Sequence, residues 1–219
     1  MYRCCIFDLD GTLINTIYAL TKTINLTLNE FGFPPVKEEN TKVFVGDGYK
    51  KFVERALIYS GDRELVHYEA ALKAYSRFFR ENCLYRIGAY DGIRELLAYL
   101  KSHGIKIAVL SNKSHEQAVE NIETVFGKGY FDVIAGEKEG IRRKPDPAGV
   151  YAVLDELGMK AEDGLYLGDT NTDMKTGAAA GMDTAGVTWG FRDRSELEAY
   201  HPSYIVDDPR EVIKIIEKN

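Results

Sequence analysis

The chain has 219 residues, enough for one α/β domain with a smaller insert. Hydrophobic residues make up 45% and charged residues 28%, a balance that excludes a disordered chain. A net charge of −6 with no basic stripe argues against nucleic acid as a partner, because sequence-independent binding is driven by cationic patches. Cys4, Cys5 and Cys83 suggest no disulfide framework, which fits a reducing cytoplasmic setting. The first strand begins at once, so no signal peptide is expected. No apolar run approaches the ~20 residues that a membrane span needs. Oligomeric state is not readable from the pattern.

Residues 2–7 are a short apolar run suited to the middle of a parallel sheet. A helical stripe follows at Ile17, Leu20, Ile24, Leu28 and Phe31, closed by Gly32 and by Pro34-Pro35. A second helix carries Tyr49, Phe52, Val53, Ala56 and Leu57 and ends at Ser60-Gly61; a third carries Leu65, Leu72, Tyr75, Phe78 and Phe79. No strand pattern is visible over 17–81, so this stretch is expected to be an all-helical unit.

From Asp91 the pattern alternates. Asp91 caps a helix with Ile93, Leu96, Leu97 and Leu100 inward, closed by Gly104. A strand is expected over 105–110. A capping box over 114–117 opens a helix with Val119, Ile122 and Phe126 inward. Further strands are expected over 131–135, 164–167 and 182–188, with a weak one over 204–206. Between them fall a helix capped by Asp146 and started by Pro147, an Ala-rich helix ending at Gly181, a short helix near Ser195 and a last helix from Asp208. Strands alternating with crossover helices predict an α/β fold with a Rossmann-like parallel sheet and helices on both faces. The expected division is a core of residues 1–15 and 86–219 and a helical unit of residues 16–85.

Polar clusters fall where the strands end, and in such sheets ligands bind beyond the carboxyl ends. The first is Asp8-Leu9-Asp10-Gly11-Thr12. It reads either as a plain Asp-Gly turn or as two carboxylates that want a cation. The second is Ser111-Asn112 before a helix start, either a simple cap or an anion site built on free amides. The third is Lys144, held ahead of Pro145 and Pro147 and suited to neutralise a dianion; Arg142 and Arg143 read as solvated charges. The fourth runs from Gly168-Asp169 to Asp173. Four carboxylates at one sheet edge are costly without a hard divalent cation, and oxygen-only ligands suit Mg²⁺.

These four stretches, in this order, resemble the four motifs of the haloacid-dehalogenase-like superfamily over the whole length of the chain. The helical insert between the first and second motifs is similar to the cap of the subfamily that contains phosphoglycolate phosphatase and β-phosphoglucomutase. The resemblance implies a Mg²⁺-dependent phosphatase acting on a small phosphorylated metabolite. In it Asp8 is the nucleophile that forms an aspartyl-phosphate and Asp10 the general acid and base. Thr12, Ser111, Asn112 and Lys144 hold the phosphate, while Asp8, Asp10 (through its carbonyl), Asp169 and Asp173 hold the metal. An acid at Asp10 points to an oxygen leaving group rather than a halide. Asn15 departs from the aspartate usual after the first motif.

Gly46, Lys50 and Arg55 are the candidates for substrate choice, because Val45-Gly46-Asp47-Gly48-Tyr49 resembles the cap segment of phosphoglycolate phosphatases. Lys50 and Lys51 also read as ordinary solvated helix charges. Inorganic pyrophosphate, sugar phosphates and nucleotides remain alternative substrates on the same core. Phosphonoacetaldehyde hydrolysis would need a cap lysine at a spacing these residues match poorly. A non-catalytic binding module would have no need of both a nucleophile and an acid.

Overall fold

The structure is a computed structural model that describes residues 1–218. The chain separates into two compact units, one of residues 1–15 with 89–219 and the other of residues 16–88.

The first unit is built on β1 (Cys4–Phe7), every residue of which is buried. It carries β4 (Lys106–Ser114), β5 (Val133–Glu137), β6 (Gly164–Gly168), β7 (Asp183–Val187) and β8 (Tyr204–Val206). These make a six-stranded sheet in the order β5-β4-β1-β6-β7-β8 with every pairing parallel. β1 is central, with Cys4 opposite Lys106 on one side and Gly164 on the other. Successive strands run outward from β1 first to one side and then to the other. That reversal opens a crevice at the carboxyl ends of β1, β4 and β6.

The crossover helices are α5 (Ile93–Ser102), α6 (His115–Phe126), α7 (Ala148–Leu157), α8 (Asn171–Ala179), α9 (Arg194–Glu198) and α10 (Pro209–Lys218). A core cluster joins Ile6, Ala108, Val133 and Tyr166 of the sheet to Val150, Val153 and Leu154 of α7 and to Met182. Closing this face against helices removes apolar surface from water, the dominant favourable term in folding.

The expected strands and helices of this unit are present, with ends shifted by a few residues. α6 buries Ala118, Asn121, Ile122 and Phe126, so Asn121 rather than Val119 completes its inner face. Ser114 stands at the N-cap of α6 without a side-chain cap bond, so the expected capping box is absent.

The second unit holds α1 (Ile17–Glu30), α2 (Glu38–Phe44), α3 (Tyr49–Ser60) and α4 (Tyr68–Asn82). Four helices stand where three were expected. α2 buries only Thr41 and Phe44, too little for a visible stripe. It is entered through Val36, whose N–H and carbonyl both bond the Asn25 side chain of α1. Tyr75 stacks on Phe79 at 5.6 Å and meets the edge of Phe52 at 5.7 Å, which fills the space between α3 and α4. Asp62 takes the N–H groups of Val66 and His67 at 3.0 and 2.9 Å, so α4 starts at Tyr68 rather than at Leu65. Two elements the periodicity does not reveal are the two-residue strands β2 (Ile14–Asn15) and β3 (Gly88–Ala89), which pair with each other.

Candidate active site

The site lies at the carboxyl ends of β1, β4 and β6, wholly within the first unit. Asp8 follows β1 directly, and its N–H bonds the Leu167 carbonyl at 2.8 Å, extending the β1–β6 pairing by one residue. The chain then turns tightly, with the N–H groups of Leu13 and Ile14 both on the Leu9 carbonyl. Gly11 serves this turn twice. Its φ of +90° favours glycine, and a Cβ there would collide with the Asp169 carboxylate.

Lys144 is the hub. It is 5% exposed, and its Nζ donates to Asp8 Oδ1 at 2.6 Å and to Asp173 Oδ1 at 2.7 Å. Such a buried ammonium is tolerable only because both partners are charged. Burial pulls its pKa down, but Asp173 and Asp8 outweigh burial and hold it well above the usual lysine value. Asn112 secures the backbone beneath it. Its Nδ2 donates to the Lys144 carbonyl at 3.1 Å and its Oδ1 accepts the Lys144 N–H at 2.9 Å.

Asp173, in the first turn of α8, is fully buried. Its Oδ2 accepts from Thr170 Oγ1 at 2.5 Å and from the Thr170 N–H at 3.1 Å, while Thr170 Oγ1 takes the Asp173 N–H. Tyr166 donates its hydroxyl to Asp173 Oδ1 at 3.4 Å. Asp169, also fully buried, takes Thr12 Oγ1 on Oδ1 at 3.0 Å and the Phe191 N–H on Oδ2 at 2.8 Å. One carboxylate oxygen from each of Asp8, Asp169 and Asp173 lies within 4.8 Å of the other two, an arrangement that could hold a metal ion. Burial and the Asp173 charge push Asp169 up to about 7, and the same causes push Asp8 well above the usual carboxylate range despite Lys144.

The structure therefore brings Asp8, Lys144, Asp169 and Asp173 together. Thr12 is completely buried and its hydroxyl is engaged with Asp169. Ser111 is buried at the end of β4, where the pairing with β5 shifts register between Leu110 and Ser114; its Oγ accepts the Lys113 N–H at 3.2 Å. Asp10 points to a different lysine, Lys113, at 2.7 Å. Arg142 and Arg143 pair with Asp146 and Glu137. Gly46, Lys50 and Arg55 belong to the second unit. Arg55 bonds the Phe44 carbonyl at 2.8 Å and the Asp47 carboxylate, and Lys50 is exposed.

Sequence reasoning passed over three contributors. Lys113 adjoins the Ser111-Asn112 cluster and could have been read with it. Trp189 donates Nε1 to the Thr12 carbonyl at 3.0 Å. Gly190 presses on Asp169 so closely that a Cβ would overlap both that side chain and the Gly11 carbonyl. The loop after β7 is thus a fifth segment of the site.

Comparison with known proteins identifies the family. The haloacid dehalogenase-like hydrolase family matches residues 5–187, and the chain belongs to that family. Among its relatives it is 30% identical to the phosphoglycolate phosphatase of Aquifex aeolicus, covering 99% of this chain and 98% of that one. It is also 30% identical to the phosphoglycolate phosphatase of Pseudomonas putida, over 96% of this chain and 78% of that one. A crystal structure of a provisionally assigned phosphoglycolate phosphatase from Lactobacillus delbrueckii subsp. bulgaricus superposes with a TM-score of 0.91 at 31% identity, covering 98% of each chain. The chain is an enzyme of the hydrolase class with the phosphoglycolate phosphatase-like α/β architecture. Among the described residues no helix is long and apolar enough to cross a membrane.

Proposed function

We propose that this hydrolase is a Mg²⁺-dependent phosphatase that cleaves a small phosphomonoester of the phosphoglycolate type through an aspartyl-phosphate on Asp8. The observation that carries this reading is the cluster of Asp8, Asp169 and Asp173 closed around Lys144. One ammonium does not offset three buried carboxylates; burial first, and then the charge of Asp173, hold Asp8 and Asp169 above the usual carboxylate range. An all-oxygen donor set of this kind suits a hard divalent ion. Asp8, Asp169 and Asp173 would hold it with the Asp10 carbonyl. The ion, when bound, offsets the repulsion between nucleophile and phosphate dianion.

The chain's own residues supply the rest. An Asp8 oxygen attacks phosphorus in line, the bond from phosphorus to the leaving oxygen breaks, and Asp10 gives that oxygen its proton. Asp10 then takes a proton from water, the water oxygen attacks phosphorus, and the Asp8 carboxylate departs with release of phosphate. Ser111, the Asn112 backbone N–H and Lys144 offer donors to the equatorial oxygens, where charge collects in the transition state; the Thr12 hydroxyl, expected to share this task, gives its one proton to Asp169 and steadies that carboxylate instead.

Residues 16–88 would act as the cap and choose the ester. Arg55 is already engaged by Asp47, which leaves exposed Lys50 as the better partner for a substrate carboxylate. The names of the relatives support phosphoglycolate.

A phosphate-release screen with Mg²⁺ over phosphoglycolate, sugar phosphates, nucleotides and pyrophosphate tests the reading. Phosphoglycolate should give the highest kcat/KM, and Asp8→Asn should abolish turnover of every ester. Pyrophosphate in first place would make the protein a pyrophosphatase on the same core. No turnover of any phosphate compound would make it a binding module.

A further inference from the structure

Each of the two acids after β1 has its own lysine, and only one of those lysines belongs to the four motifs. Asp8 is met by Lys144. Asp10 is met by Lys113, whose Nζ lies 2.7 Å from Asp10 Oδ1 and 2.7 Å from Asn121 Oδ1. We infer that Lys113, anchored by Asn121, is a positioning residue that aims the Asp10 carboxyl at the leaving oxygen of the substrate. This rests on the reading of Asp10 as the acid of the reaction.

Three observations support it. The Lys113 side chain is only 6% exposed, so its charge is kept from water and held by specific partners. Asn121 is fully buried on the inner face of α6 beside Ala118 and Ile122, where an amide is costly unless bonded. Its carbonyl oxygen meets the ammonium, which accounts for an asparagine at an otherwise apolar position. Lastly, Lys113 stands in the segment where β4 loses register with β5, and such irregularities re-aim side chains next to active sites.

The geometry divides the work between the two Asp10 oxygens. Oδ1 is tethered, and Oδ2 takes no hydrogen bond among the described residues. The Asp10 side chain is 20% exposed, more open than the Asp8 side chain at 9%, as suits a group that must meet substrate and then water. Fixing one oxygen fixes the plane of the carboxyl and hence the direction of the other. An acid loosened by the loss of Lys113 would still be present but would seldom point at the leaving group, and small misplacements of this kind are expensive in rate.

The dependence on leaving group separates this role from a structural one. An alkoxide needs its proton as the bond to phosphorus breaks, whereas p-nitrophenolate leaves without one. kcat/KM covers the steps up to departure of the alcohol, so it reports the proton transfer directly. The experiment measures kcat/KM with Mg²⁺ on an alkyl phosphate and on p-nitrophenyl phosphate for wild type, Lys113→Met, Lys113→Arg, Asn121→Ala and Asp10→Asn. Lys113→Met should lose at least about tenfold more on the alkyl ester than on the aryl ester, within the range that general acids contribute. Asn121→Ala should show the same bias more weakly, and Lys113→Arg should recover part of the alkyl activity. Equal losses on both esters would overturn the inference, since a damaged fold has no preference for leaving groups. If Asp10→Asn shows the bias and Lys113→Met does not, only the positioning role fails. If Asp10→Asn shows no bias, the assignment of Asp10 as the acid fails and the inference falls with it.

Discussion

Lys144 lies 136 residues from Asp8 in the chain, and its ammonium stands 2.6 Å from the Asp8 carboxylate and 2.7 Å from that of Asp173. Removing the cation leaves two buried acids facing each other. Breaking a buried ion pair from one side costs about 3–5 kcal/mol. Lys144→Met should therefore lower unfolding stability by about 3 kcal/mol in the metal-free protein, read from urea denaturation, and should reduce turnover to background. Mg²⁺ should restore part of the stability, because a cation relieves the same repulsion, but not the activity. A variant as stable as wild type without metal would show that the ion pair is not the support it is taken for.

Asp8→Asn should behave in the opposite way. The Asp8 carboxyl is held well above its usual range by burial and by Asp173, so at neutral pH its charged form weakens the fold. Asparagine removes that charge and keeps the shape. The metal-free variant should melt no lower than wild type and have no phosphatase activity. A protein that melts well below wild type would mean that the pair with Lys144 contributes more than the repulsion takes away.

How far the sequence announces this arrangement depends on the range of the signal. β1 and the strands over 164–168, 183–187 and 204–206 are legible because segments of three to five residues, short on charge and set between turn signals, make a local pattern. α3 is legible to the residue because its stripe ends at Gly61, where φ is +120°. α2 is not, since a seven-residue helix after Pro34-Pro35 with one buried apolar residue leaves no periodicity to read. At the site, Asp8 and Asp169 stand out because each is a polar break at the end of an apolar run, Asp173 because it follows Asp169 by four residues, and Lys144 because it is held ahead of Pro145 and Pro147. Lys113, Asn121, Trp189 and Gly190 do not stand out. Asn121 sits inside an ordinary amphipathic helix, and the contacts of Trp189 and Gly190 with Thr12, Gly11 and Asp169 join segments with no local relation.

The pH dependence of stability should carry the mark of Asp169. Burial and the charge of Asp173 raise it to about 7, against an ordinary value of 3.8. A group raised on folding favours the folded state most when protonated. Its contribution is complete below about pH 4 and is lost as pH rises through about 7. Over that window the metal-free protein should lose stability as pH rises. A divalent ion competes with the proton, so the melting shift caused by Mg²⁺ should be small at pH 5.5 and large at pH 8. Thermal melts with Mg²⁺ and with a chelator at both pH values check this. A Mg²⁺ shift that is the same at both would remove Asp169 from the metal site.

The loop after β7 should govern metal affinity without touching the nucleophile. Phe191 gives its N–H to Asp169 Oδ2, and Gly190 leaves room for that carboxylate against the Gly11 carbonyl. A methyl group at Gly190 must displace Asp169, the loop or the turn after Asp8. Residues that orient a metal ligand typically account for 10–100-fold in affinity. Gly190→Ala should therefore weaken Mg²⁺ binding by about tenfold, measured by titration calorimetry on folded protein. At saturating Mg²⁺ kcat should recover to the extent that the displacement stays with Asp169 and the loop, because the atoms nearest a methyl at Gly190 belong to Asp169 and Gly11 rather than to Asp8 or Lys144. Trp189→Phe loses only the bond to the Thr12 carbonyl and should show a smaller shift in the same direction. If Gly190→Ala binds Mg²⁺ as wild type does, the loop is a neighbour of Asp169 and not its support.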